Sequence, residues 1–171
     1  MHKALVVDDK GIDGRLLYGL TERKFSVIGV NHPHEAMSIL AAGTKPYLVI
    51  SDVYEHPYYN GIEFARRARD LLGDKASIFL WSGHYGNNES NGMWNIDEEF
   101  LRLYLDGIVD GFTTKINGKG EAMLDLIDAP HFLAFAAKYG IQIFDGVDRD
   151  TLLRFAELEI QRKTGVPLKL D

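Results

Sequence analysis

The chain contains no cysteine. That excludes a disulfide framework, thiolate metal sites and cysteine nucleophiles, and it fits a reducing compartment. Long apolar runs are missing too. The opening stretch MHKALVVDDK has four consecutive apolar residues before two aspartates, too few for a signal-peptide core or a membrane span. A cytoplasmic protein is the expectation. Positive charge is in deficit, with 19 Lys and Arg against 25 Asp and Glu and a formal net charge of −6. Neutralising nucleic-acid phosphates takes clustered Lys and Arg, so direct DNA binding is not expected. ARRARD (65–70) reads as a solvated helix face. The six histidines lack a metal-binding spacing such as H-E-x-x-H, NGKGEA (117–122) lacks the G-x-x-x-x-G-K-[ST] pattern, and no Ser-His-Asp arrangement stands out.

What is present is an alternation. At 171 residues and 46% hydrophobic composition, the chain can bury one proper core. Five short β-like runs, at 3–9, 25–30, 47–52, 77–82 and 107–115, are separated by helical patterns. Ile12, Leu16, Leu17 and Leu20 fall on one face of the first helix, and Ile62, Ala65, Ala68 and Leu72 on one face of the third. Pro33 suits the first turn of the second helix and Gly43 its end. NIDEEFLRLYLDG opens on Asn95 and Glu98 in the spacing of a capping box. Strict alternation with strands rich in Val, Ile and Leu predicts a parallel, doubly wound α/β sheet with helices on both faces.

From about Lys119 the pattern changes. EAMLDLIDAPHFLAFAAKYG is helical but interrupted at Pro130. VDRDTLLRFAELEIQRKTG predicts a final amphipathic helix, capped by Asp148 or Asp150 and stopped at Gly165, with Leu152, Phe155, Ala156 and Ile160 among its apolar residues. IQIF (141–144) is ambiguous between strand and loop. The expected division is an α/β domain over 1–128 and a helical extension over 129–171.

The stretch VISDVYEHPYYNGIEF (49–64) ends an apolar run on Asp52, before Tyr, His, Pro, Asn and Gly. In an open parallel sheet, ligands bind outside the carboxyl ends of the strands. Those ends carry Asp8-Asp9, Asp52, Ser82 and Lys115. Each has an ordinary explanation alone: a helix cap, a turn, a loop start, a solvated lysine. Together they are harder to set aside. Three crowded carboxylates repel unless a cation or a lysine compensates. An oxygen-only set suits Mg²⁺. Lys115 offers a positive charge for a phosphoryl group and Ser82 a hydroxyl for one of its oxygens, which is equipment for phosphoryl transfer onto a carboxylate.

This order of Asp-Asp, Asp, Ser and Lys resembles the receiver domain of two-component response regulators, chemotaxis-regulator-like, over roughly residues 3–128. Gly83 after the serine and Phe112 three residues before Lys115 fit the same pattern. The resemblance implies a flavodoxin-like five-stranded sheet in the order 2-1-3-4-5. It also implies Asp52 as phosphoacceptor and Mg²⁺ held by Asp8, Asp9, Asp52 and the backbone carbonyl of Tyr54. Ser82 and Phe112 would form the switch, with Phe112 turning inward on phosphorylation, and Tyr54 and His84 would tune hydrolysis. Implied partners are a histidine kinase or phosphotransfer protein, then a downstream target or a second copy reached through the tail. Such a protein is a self-catalysed phosphoacceptor rather than an enzyme acting on other molecules.

The chain departs from the family pattern in places. Ile116 stands where proline usually follows the lysine, and one extra residue between Asp52 and Gly61 displaces Pro57. GHYGNNESNGMWN lengthens the crossover between the fourth and fifth runs, as a lid, a partner surface or a tolerated insertion. These departures leave open a phosphate-independent receiver-like interaction module. A Mg²⁺-dependent phosphohydrolase is disfavoured, because Tyr54 stands where a general acid would follow Asp52.

Overall fold

The computed structural model describes residues 1–53, 60–83, 87–88, 93–95, 98–115, 120–142 and 146–171. In chain order the elements are β1 (His2–Val7), α1 (Gly14–Glu22), β2 (Phe25–Val30), α2 (Pro33–Ala41), β3 (Leu48–Asp52), α3 (Gly61–Leu72), β4 (Ser77–Ser82) and β5 (Asn87–Asn88). They continue as β6 (Met93–Asn95), α4 (Glu98–Leu105), β7 (Gly111–Thr114), α5 (Glu121–Asp128), α6 (Phe132–Lys138), β8 (Ile141–Gln142) and α7 (Arg149–Thr164).

Five strands form one sheet in the order β2-β1-β3-β4-β7, and every pair in it is parallel. This is the expected 2-1-3-4-5 doubly wound arrangement. The central strands show why: Ala4–Val7 and Leu48–Asp52 are buried at every position, as a strand covered on both faces must be. A small second sheet, β5-β6-β8, was not foreseen. In it Trp94 and Asn95 pair with Ile141 and Gln142, so the insertion after β4 and the ambiguous IQIF segment are backbone partners.

Local signals set the helix ends. Asp13, not Asp8 or Asp9, caps α1 by accepting from the N–H groups of Arg15 and Leu16. Asn60 caps α3 through the Glu63 N–H, and Gly73 ends it at φ +59°, a conformation glycine reaches without penalty. Asp148 caps α7 through the Thr151 N–H, and Gly165 ends it. Ala129, just before Pro130, is extended, because the proline ring disfavours the helical region for the preceding residue. The helical pattern therefore breaks into α5 and α6.

Two readings of helix faces need correction. Leu17 on α1 is 41% exposed, whereas Leu16 and Leu20 are fully buried. In ARRARD, Arg66 and Arg67 are solvated as expected, but Arg69 is buried. Its guanidinium bonds the Asp110 carboxylate at 2.8 Å and the carbonyls of Ile108, Gly73 and Ala76.

The residues after 128 pack on the β7–α4 side of the sheet. Phe132 and Phe135 of α6 belong to the same buried cluster as Tyr104 and Phe112. Ring centroids lie 4.6 Å apart for Phe112 and Phe132, and 4.9 Å for Tyr104 and Phe132. Phe155 of α7 reaches Tyr104 at 6.1 Å. Among the described residues no helix is long and apolar enough to cross a membrane.

Candidate functional site

The site is assembled by the sheet. Asp8 follows β1, Asp52 ends β3, Ser82 ends β4 and Lys115 follows β7. The parallel order brings the four to one rim, since β1, β3, β4 and β7 are consecutive neighbours.

Each position is fixed by backbone bonds. The Asp8 N–H donates to the Val30 carbonyl at 3.0 Å, and Asp8 Oδ1 accepts the Lys10 N–H at 2.9 Å. Asp52 Oδ1 accepts the Val53 N–H at 2.7 Å. The Lys115 N–H donates to the Ser82 carbonyl at 2.9 Å. Asp8, Asp52 and Ser82 are buried, and Asp9 is exposed.

Gly61 stands over the carbonyl of Asp52. A Cβ there would lie 2.0 Å from that oxygen, so the start of α3 could not approach the strand end with any other residue. Gly61→Ala is accordingly expected to destabilise the fold by about 1–3 kcal/mol, the usual cost of overpacking. Urea unfolding measures this, and an unchanged midpoint would contradict the close approach.

The Lys115 ammonium bridges two carboxylates, with Nζ 2.5 Å from Asp8 Oδ2 and 2.6 Å from Asp52 Oδ2. Burial raises the Asp52 carboxyl above its ordinary value, more than its bond to Lys115 lowers it. Burial acts to lower the Lys115 ammonium, but its bonds to Asp52 and Asp8 outweigh that and leave it raised. One ammonium does not balance the site.

Asp8, Asp9 and Asp52 each offer an oxygen, and these oxygens lie within 4.8 Å of one another. Three negative charges against one positive leave an excess of two, the charge of one divalent cation. Carboxylate oxygens are the donors a hard cation such as Mg²⁺ prefers. The donor set thus fits a divalent ion.

The sequence-predicted residues Asp8, Asp9, Asp52, Ser82 and Lys115 therefore share one rim. Phe112 is buried, between Phe100 at 5.5 Å and Phe132 at 4.6 Å. Tyr54 and His84 lie outside the described residues. Trp81 belongs to the same rim and had no sequence signal beyond its apolar run. Its ring centroid is 5.2 Å from Lys115 Nζ, and its register partner is Asp52.

No family model matches the chain, and no curated protein matches it. Solved structures do. A Burkholderia pseudomallei response regulator, described with a phosphorylated aspartic acid, a calcium ion and citrate, is similar at 20% identity and a TM-score of 0.54. That match covers 73% of this chain and 65% of the other. A chemotaxis response regulator of Vibrio cholerae is similar at 21% identity and a TM-score of 0.52, covering 74% of this chain and 96% of the other. For a receiver domain protein from Methanospirillum hungatei the values are 16% and 0.55, covering 75% and 92%. With its strand order and these structural neighbours, the chain has the fold of response-regulator receiver domains.

Proposed function

We propose that this chain is a signalling receiver that accepts a phosphoryl group on Asp52. The observation that carries the reading is the Lys115 ammonium held at 2.5 and 2.6 Å between Asp8 and Asp52, two members of a three-carboxylate cluster completed by Asp9. Asp52 ends a buried strand and sits beside Lys115, a cation that can follow a transferred phosphoryl group.

In the step itself, an Asp52 carboxylate oxygen attacks the phosphorus of a donor. A new P–O bond forms as the bond to the leaving group breaks, and the leaving group departs with the electron pair. Lys115 Nζ meets a phosphoryl oxygen and offsets its charge. The Ser82 hydroxyl, at the end of the neighbouring strand, would bond another. Asp8, Asp9 and Asp52 would hold Mg²⁺, joined by the backbone carbonyl of Tyr54. The bound ion supplies neutralisation of charge on the phosphoryl oxygens.

The donors that suit such a site are a histidine kinase or a phosphotransfer protein. The chain then acts by changing its binding to a protein target or to a second copy, not by turning over substrate. Ser82 and Phe112 would form the switch, Phe112 being buried here between Phe100 and Phe132.

Intact mass after incubation with acetyl phosphate and Mg²⁺ tests the reading. Wild type is expected to gain one phosphoryl group, Asp52→Ala none, and chelation of the metal is expected to abolish the gain. A wild type that gains nothing would leave the phosphate-independent interaction module as the better account.

A further inference from the structure

Trp81 is next to last in β4 and only 3% exposed. It is in register with Asp52 on one side and Thr113 on the other. Successive side chains along a strand alternate between faces, so laterally paired residues share one. The Trp81 and Asp52 side chains therefore share a face, although the indole also belongs to the buried apolar cluster.

An ammonium has three donors on a flexible four-carbon stem. In Lys115 two contacts go to Asp8 and Asp52. The Trp81 ring, 5.2 Å from Nζ, supplies a contact of another kind, because its quadrupole attracts the cation without taking up a hydrogen bond. A ring contact of this kind need not break when one carboxylate partner is exchanged for a phosphoryl oxygen.

We propose that Trp81 is a positioning residue for Lys115, its ring holding the ammonium where an incoming phosphoryl group is met. This rests on the reading of Asp52 as phosphoacceptor. Two consequences follow from the geometry. Losing the ring should slow phosphorylation even when the fold survives. The indole should also register any displacement of the ammonium.

The experiment has a kinetic and a spectroscopic arm. Phosphorylation by acetyl phosphate at saturating Mg²⁺ is timed by intact mass in wild type, Trp81→Leu and Trp81→Phe. The leucine variant is expected to be about five- to tenfold slower, the loss that a cation–π contact of about 1 kcal/mol implies, and phenylalanine, which keeps a ring face, is expected to recover much of it. Thermal unfolding of each variant is recorded alongside. The chain has two tryptophans, so a Trp94→Phe background isolates Trp81 emission. That emission is expected to shift on adding Lys115→Met, and again on adding beryllofluoride with Mg²⁺ to the Trp94→Phe protein.

A leucine variant phosphorylated at the wild-type rate overturns the proposal. So does a loss of rate that phenylalanine does not restore and that tracks the melting temperature, or an emission unmoved by Lys115→Met. If Trp81→Leu fails to fold, the phenylalanine rate and the emission decide. Wild type that takes up no phosphoryl group overturns the reading of Asp52 along with this one, whereas normal uptake with an indifferent Trp81 overturns this one alone.

Discussion

Asp110→Ala is expected to cost about 3–5 kcal/mol of stability, the range for removing one partner of a buried ion pair. Asp110 sits just before β7 and is 3% exposed. Its Oδ2 accepts from Arg69 and from the Ile78 N–H, both at 2.8 Å, and its Oδ1 pairs with Arg162 at 2.7 Å. One carboxylate thus serves a helix of the α/β domain, the adjacent strand and the tail helix. Alanine leaves two guanidiniums without their shared anion and the Ile78 N–H without an acceptor, and the second loss alone costs about 1–3 kcal/mol. Arg69 retains three carbonyl partners. Among the described residues Arg162 retains a longer pairing with the exposed Asp74, at 3.8 Å. The tail helix should therefore loosen first. Denaturant unfolding gives the total, and amide exchange along α7 gives the order. A loss under about 1 kcal/mol, or exchange in α7 no faster than in wild type, would count against this account of how the tail is held.

The same residues mark where the sequence was legible and where it was not. Alternating apolar runs announced the parallel sheet, and a run that stops on a carboxylate announced the rim. Those are local signals, readable because a strand covered on both faces tolerates polar groups only at its ends. Arg69 gave no such signal: within ARRARD it resembles its solvated neighbours. Its partner lies 41 residues away, a distance no helical periodicity spans. Glu159 is hidden in the same way, among the charges of α7. Leu17 lies within the apolar stripe of α1, yet only tertiary packing decides how wide a stripe is covered. Strands of two residues, such as Ile141–Gln142, are too short to show a period. An amphipathic tail shows that a face will be buried, not what will cover it. Here the cover is the protein's own β7–α4 side, through Phe132, Phe155 and the Arg162 pairing. Trp81 was legible as core, but its place beside Asp52 depends on the register between β3 and β4.

Glu159→Gln is expected to stabilise the protein above neutral pH and to change it little near pH 5. Glu159 is fully buried on α7. Its Oε2 accepts the Phe132 N–H at 2.9 Å, and its Oε1 lies 3.3 Å from Lys163 Nζ. Facing it from α4 is the Tyr104 hydroxyl, itself held above its ordinary range by burial and by the Glu159 charge. Burial pushes the Glu159 carboxyl up to about 7, Lys163 and the Phe132 N–H pull it down, and Asp110 adds to the rise. The folded chain therefore keeps a proton that the unfolded chain releases near its ordinary value of 4.5. Stability from this group is fully present below that value and is lost as pH rises through about 7. The gap corresponds to about 3 kcal/mol, at the usual 1.36 kcal/mol per tenfold change in proton affinity. Glutamine keeps an acceptor for the Phe132 N–H and cannot ionise, while Lys163 keeps its bond to the Ala129 carbonyl at 3.0 Å. Asp52, also raised by burial, contributes a slope of the same sign, so the comparison is best made in an Asp52→Asn background. Urea unfolding of the pair at pH 5 and pH 8 should show a difference under about 1 kcal/mol at the lower pH. At the higher pH the glutamine protein should lead by about 1–3 kcal/mol, part of the full gap being returned by relaxation around the charged form. A difference that does not depend on pH, or a glutamine protein that is the weaker one at pH 8, would mean that Lys163 and its neighbours already stabilise the buried carboxylate as an anion.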